Sequence, residues 1–329
     1  MVSASMIDYH SGAFRYYAGA AIRAGNQAAG LSPDPRTQTV VSPGYLAFHP
    51  DPKKPDITLP DLACDSHCHV FGPGDVFPYV PTSSYIPVDA SKETLFQRHE
   101  FLGFQRSVIV QASCHGTDNS AMVDALIAGG DAYRGIAIVR PDIDMAELEQ
   151  LHEAGVRGVR FNFVKRLKAA QPVEVRRAII DRIARLGWHL VVYFETEDLP
   201  GIEDFLKEVP VPVVIDHMGR VPVEGGPESE AFARLARLIE GDDKFWIKVS
   251  GSERMSEAGP PYSDVDRIAH ALVALKRDRM LWGTDWPHPN IKSHMPDDGQ
   301  LVDRLRIICP DPADLHRLLV DNPAELYWR

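Results

Sequence analysis

From Leu62 onward, short apolar or β-branched runs recur along the chain, each followed by a segment of helical composition. That alternation marks βα units with parallel strands, and it limits the possible folds more than any other feature. Candidate strands fall at 63–70, 107–112, 135–139, 158–163, 189–194, 212–217, 245–250 and 280–284. Candidate helices lie between them at 91–101, 119–127, 144–153, 173–186, 202–207, 228–239 and 264–275, with a helical tail after Asp298. Eight such units over residues 61–329 suit the roughly 250 residues typical of a (β/α)8 TIM barrel. The expected class is therefore α/β, a TIM barrel with an N-terminal extension over residues 1–60. A doubly wound sheet is the alternative, but no Gly-rich phosphate fingerprint follows the first strand. Pro33, Pro35, Pro43, Pro50, Pro52, Pro55 and Pro60 punctuate the polar part of the extension.

The 35 Lys and Arg against 46 Asp and Glu give a net charge of −11. No global basic surface is available to neutralise nucleic-acid phosphates or to sit on anionic lipid. No uncharged apolar run reaches the ~18 residues of a membrane span. Arg23 and Asn26 break the Ala/Gly-rich N-terminal stretch that a signal peptide would keep apolar. Cys64, Cys68, Cys114 and Cys309 are too few for a disulfide framework and fit a reducing compartment. The expectation is a soluble, cytoplasmic protein with no nucleic-acid and no membrane partner.

In such a barrel, chemistry belongs at the C-terminal ends of the strands, and polar residues gather there. The first strand ends in Asp65-Ser66-His67-Cys68-His69, where alternation puts His67 and His69 on one face and Cys64 and Cys68 on the other, under the helices. The sixth ends in Asp216-His217, and the eighth runs into Asp285. Three histidines and an aspartate suit a single Zn²⁺ or similar ion, ligated by His67, His69, His217 and Asp285. The same set also suits metal-free hydrolysis, with Asp285 taking a proton from water and the histidines holding the carbonyl oxygen. Arg160, Arg166, Arg220 and Arg254 follow strand ends, and several guanidinium groups at one mouth point to an anionic substrate. Ser113 and Tyr193 are further hydroxyl donors at strand ends.

Six segments then carry a resemblance. They are Asp65 to Pro73, Val110 to Asn119, Val159 to Phe163, Tyr193 to Glu195, Ile215 to Arg220 and Trp282 to Asn290. In this order and spacing the chain resembles the amidohydrolase superfamily, in its metal-optional lactonase branch. The resemblance implies hydrolysis of a small anionic lactone in aromatic-acid catabolism, with ring opening of 2-pyrone-4,6-dicarboxylate foremost. A 4-sulfomuconolactone hydrolase is the alternative, and a metal-dependent decarboxylase of the same superfamily or a catalytically silent anion binder are further ones. By position, Asp285 would be the general base, and His67, His69 and His217 would hold the carbonyl. Arg160, Arg166 and Arg254 would hold acid groups, Tyr85, Ser113, Tyr193 and Asn290 would finish the substrate pocket, and Arg220 and His288 would also bind substrate. No cofactor would be required, though one divalent metal such as Zn²⁺ could bind. Arg160 and Tyr193 stand where two-metal members carry ligands, so a binuclear centre is not expected. Gly251-Ser252 precedes Arg254 where the lactonases lead one to expect Cys-Pro, and residues 1–60 exceed their usual length.

Overall fold

The computed structural model describes residues 41–164 and 171–329. Eight strands run in chain order: β1 Cys64–Cys68, β2 Arg106–Val110, β3 Tyr133–Ala137, β4 Val156–Asn162, β5 His189–Tyr193, β6 Val213–Ile215, β7 Phe245–Lys248 and β8 Met280–Leu281. Each pairs in parallel with the next, so sheet order equals sequence order. The last strand returns to the first just beyond its regular part. Ser66 N–H donates to the Trp282 carbonyl at 2.9 Å, His69 N–H to Trp286 at 2.8 Å, and Asp285 N–H to His67 at 2.7 Å. These bonds satisfy strand-edge groups that would otherwise be orphaned, and they bring the sheet to a nearly closed TIM barrel.

Side chains reinforce this seam. Asp65 accepts from Thr284 N–H at 3.0 Å and from Thr284 Oγ1 at 2.6 Å, and its second neighbour is His99 Nε2 at 3.2 Å. The backbones meet so closely that a Cβ on Gly283 would sit 2.5 Å from His67 N. Only a residue without a side chain lets β8 approach β1 there.

The core has two shells. One lies between barrel and helices and includes Ile109, Leu190, Val192, Val213, Ile215 and Ile247. The other fills the barrel with the alternating partners Val108, Val110, Ile136, Val191, Val214, Trp246 and Leu281, and Tyr327 is fully buried among them. Cys64 belongs to this inner shell and Cys68 to the outer one, which corrects the expectation that both lie under the helices. The cause is an irregularity in the β1–β2 register between Asp65 and Cys68 that reverses the phase of alternation within the strand.

Local sequence sets the helix ends. Asp144 caps Met145–Glu153 in a reciprocal box, accepting from Glu147 N–H at 2.9 Å while Glu147 accepts from Asp144 N–H at 3.3 Å. The helix expected at 202–207 extends over Leu199–Glu208, because Pro200 falls in its first turn, where a missing N–H costs nothing. Among the described residues, no helix is long and apolar enough to cross a membrane.

Residues 41–60 lie along the barrel. Ser42 N–H donates to the Ile86 carbonyl and Leu46 N–H to that of Ile291, both at 2.9 Å. The Phe48 ring packs 5.1 Å from that of Trp286, and Lys53 pairs with Asp303 at 2.5 Å. Residues 1–40 of the expected extension lie outside the described residues.

Candidate active site

The mouth is assembled from strand ends and the turns that follow them. Six of the eight non-glycine residues with positive φ among those described sit after β6 and β8: His217, Met218, Arg220, Asp285, His288 and Asn290. Left-handed backbone in such residues is costly and concentrates where a side chain must be aimed. Here it turns His217 and Asp285 toward each other.

Asp285 is fully buried at the centre. Its Oδ1 lies 3.1 Å from His69 Nε2 and 3.6 Å from His67 Nε2, and its Oδ2 lies 3.9 Å from His217 Nε2. Arg254 Nε donates to the same Oδ2, while Arg254 Nη1 donates to the Pro289 carbonyl at 3.0 Å. His69 Nδ1 lies 2.7 Å from the Val110 carbonyl, which only accepts, so that nitrogen carries a proton while Nε2 faces Asp285.

A second buried layer supports the first. Lys248 Nζ donates to His67 Nδ1 at 3.0 Å and lies 3.3 Å from Asp216 Oδ1. Arg160 Nε donates to Asp216 Oδ2 at 2.9 Å. Burial pushes the His67 imidazole down to about 4, and the Lys248 ammonium adds to the effect, so the ring is neutral. Its Nδ1 also lies 3.2 Å from Asp216 Oδ1, so Lys248 and Asp216 both address that nitrogen, while Nε2 faces Asp285. Burial likewise holds His217 well below the usual imidazole range. For Asp285, burial alone would raise the carboxyl, but the Arg254 guanidinium outweighs it, helped by His217 and His69, and the group is held well below the usual carboxylate range. It is an anion at neutral pH.

Beside Asp285 opens a cavity of about 380 Å³, solvent at its mouth included. His69, His217, Asp285, Arg160 and Arg254 line it, and Tyr85, Ser113, Tyr193 and Asn290 complete the wall. His67 stands behind this surface, its ring 4.6 Å from that of His217. Arg220 lines an adjoining cleft that shares Arg254 with the cavity. His288 is turned away from it, with Nε2 2.8 Å from Asp298 Oδ1. Arg166 lies outside the described residues. Lys248 and Glu253, both buried at the site, were not singled out in the sequence, although a lysine inside the apolar run Phe245 to Val249 is a signal that a buried counter-charge awaits it.

His67, His69 and Asp285 offer donor atoms within 4.8 Å of one another, and so do His67, Asp216 and His217. His67 Nε2 is buried without a hydrogen-bond partner. The donor types therefore fit one divalent cation held by His67, His69, His217 and Asp285.

A parallel barrel that collects imidazoles from β1 and β6, an anionic aspartate from β8 and cavity-lining arginines at its C-terminal mouth is built as a barrel enzyme. Residues 64–329 match the family model described as amidohydrolase, and the chain belongs to that family. It is 51% identical to the 2-pyrone-4,6-dicarboxylate hydrolase of Comamonas testosteroni, over 87% of this chain and 97% of that one. It is 38% identical to a 4-sulfomuconolactone hydrolase of Rhizobium radiobacter, over 82% and 91%. A crystal structure from Agrobacterium tumefaciens, solved without ligand, superposes with a TM-score of 0.74 at 27% identity, covering 84% of this chain and 98% of that one.

Proposed function

We propose that this protein hydrolyses an anionic lactone, with 2-pyrone-4,6-dicarboxylate as its substrate. The observation that carries this reading is the pairing of a buried, ionised Asp285 with Arg160 and Arg254 on one cavity wall. The arginines take the acid groups by charge-assisted hydrogen bonds. A water between Asp285 and the ring carbonyl gives its proton to Asp285 as its oxygen bonds to the carbonyl carbon. The carbonyl oxygen becomes an oxyanion, which the polar side chains lining the cavity beside Asp285 stabilise. The ring C–O bond then breaks. The enol oxygen takes the proton that Asp285 holds, which restores the base, and the new carboxylic acid gives its own proton to solvent and becomes a carboxylate.

A divalent ion held by His67, His69, His217 and Asp285 would supply a more acidic water and a Lewis acid for the carbonyl. The side chains provide both functions by another route. Arg254 already supplies positive charge at Asp285, and the arginines and hydroxyls of the cavity wall supply hydrogen bonds to the substrate's oxygens. The reaction in this reading needs no metal.

Two measurements on one preparation test it. The ratio of kcat/KM for 2-pyrone-4,6-dicarboxylate to that for 4-sulfomuconolactone should favour the pyrone, and a preference of about tenfold or more for the sulfonated lactone would reverse the assignment. Turnover should survive exhaustive chelation, and an inactive apo-protein restored by one equivalent of Zn²⁺ would show that a metal generates the nucleophile.

A further inference from the structure

Two side chains on the cavity wall, Tyr85 and Asn290, come from loops far apart in the sequence, and one stretch of the N-terminal extension ties both loops down. Ser42 N–H donates to the Ile86 carbonyl at 2.9 Å, and Ile86 N–H donates back to Ser42 Oγ at 2.8 Å. Leu46 N–H donates to the Ile291 carbonyl at 2.9 Å. The anchored residues are thus the ones that follow Tyr85 and Asn290. Between these anchors the Tyr45 ring lies 5.9 Å from that of Tyr85, tilted by 50°, and Lys292 Nζ stands 4.6 Å from the centre of the Tyr45 ring.

Covering apolar surface does not call for this arrangement. Phe48 does that a few residues on, packed against Trp286. The stretch around Tyr45 instead encloses a cleft of about 290 Å³, open solvent included, which shares Tyr85, Pro289 and Asn290 with the substrate cavity and is lined also by Tyr45, Leu46 and Phe48. The three shared residues form a partition with space on both faces. Tyr85 is buried, so where its ring stands depends on what backs it. Asn290 has a φ of 69°, a left-handed backbone that persists only when its surroundings hold it. Tyr45 backs the first of these residues, and the Leu46 bond holds the chain beside the second.

We infer that Tyr45 is a specificity-determining residue: standing behind Tyr85, it fixes the depth of the substrate cavity on that side and so limits the size of the ring the site accepts. This rests on the proposed reading of the cavity as the site of a small cyclic dicarboxylate. Tyr45 does not itself line that cavity. It acts through Tyr85, as a positioning residue whose loss lets the Tyr85 ring fall back into the cleft. A small ring is then held more loosely, and a ring carrying an extra methyl group finds room.

The test is calorimetric binding of benzene-1,3-dicarboxylate and its three ring-methylated isomers to the full chain, with lactone kinetics measured in parallel. The methyl groups point in different directions from the ring, so no pose is assumed. Tyr45→Ala should weaken the unsubstituted dicarboxylate by about tenfold, because a displaced wall spoils the fit. Its preference over the best-bound methylated isomer should fall by about fivefold or more, on the scale of one methyl group in a pocket. Tyr45→Phe, which keeps the ring, should restore the wild-type preference. A preference that stays as in wild type overturns the inference, even where all four ligands weaken together, and so does a change that Phe fails to restore. Should Tyr45→Ala not fold, Tyr45→Leu decides by the same ratio. A wild-type protein that binds the dicarboxylate but opens no lactone refutes the lactonase reading alone, and the ratio still judges Tyr45. One that opens the pyrone but binds none of the four passes the decision to kinetics, where Tyr45→Ala must raise KM more than it lowers kcat and Phe must reverse this. A wild type that does neither overturns both.

Discussion

In the proposed hydrolysis Asp285 accepts a proton while an arginine occupies one of its oxygens, and its two oxygens face different partners. Oδ2 is committed to Arg254, while Oδ1 faces His67 and His69 and remains the side from which a water can be addressed. Asp285→Asn preserves shape and one acceptor oxygen but removes the base, so kcat should fall by roughly 10² to 10⁴ while a dicarboxylate still binds. Because the carboxyl is held well below its usual range, it is already ionised where ordinary aspartates titrate. Its contribution to kcat should therefore rise with pH only under strongly acid conditions and be flat from about pH 5 to 8. A kcat midpoint near the ordinary carboxylate value that disappears in the Asn variant would contradict this. Arg160 and Arg254 test the other half of the site. Either changed to Met should weaken substrate binding by about 2 to 5 kcal/mol, the loss expected when one partner of a buried charged pair is truncated. Wild-type KM and kcat in both would make them structural.

At the scale of elements, what could be read from the sequence was periodicity, and what could not was phase. All eight strands and the seven helices between them lie at or within a few residues of where alternation and composition put them, because each strand is an apolar run closed by polar residues. The inward turn of Cys64 was hidden, since one register irregularity in β1 reverses the pattern and leaves no mark in composition. His67, His69, His217 and Asp285 were legible as a set because strand ends converge by topology. Lys248, Asp216 and Glu253 stand behind that set, and their contacts depend on distances between strands that spacing along the chain does not encode. The approach of β8 to β1 gives this scale its own test. A methyl on Gly283 would meet His67 N at 2.5 Å. Gly283→Ala should therefore cost about 1 to 3 kcal/mol of stability by overpacking, read as a lower Tm. It should also reduce kcat, since His67 would move with its backbone. An unchanged Tm would mean that the seam yields more readily than its geometry suggests.

For the whole molecule, buried histidines limit stability on both sides of neutrality. Burial pushes His67 down to about 4 and His189 down to about 3, against an unfolded value near 6.5. As pH falls below ~6.5 the unfolded chain takes up protons that the folded one refuses, so stability should be lost progressively toward those lower values. His288 has the opposite sign. Its folded value is raised to about 10, so its contribution is complete below ~6.5 and is lost as pH rises through the folded value. Urea midpoints measured across this range should form a dome. His189→Gln should flatten its acid side, and His288→Gln its alkaline side. The seam between β1 and β8 also bears on time. Asp65 and Thr284 are 219 positions apart, and the bonds beside them join the same distant stretches. Contacts of such separation are the slowest for a chain to find. His67 and His69 come from one lip of that seam and Asp285 from the other, so a chain with seven strand pairs formed and the eighth still open has nearly all its secondary structure and no catalytic centre. Activity in this protein therefore requires that the barrel be shut, whatever the state of its other seven strand pairs.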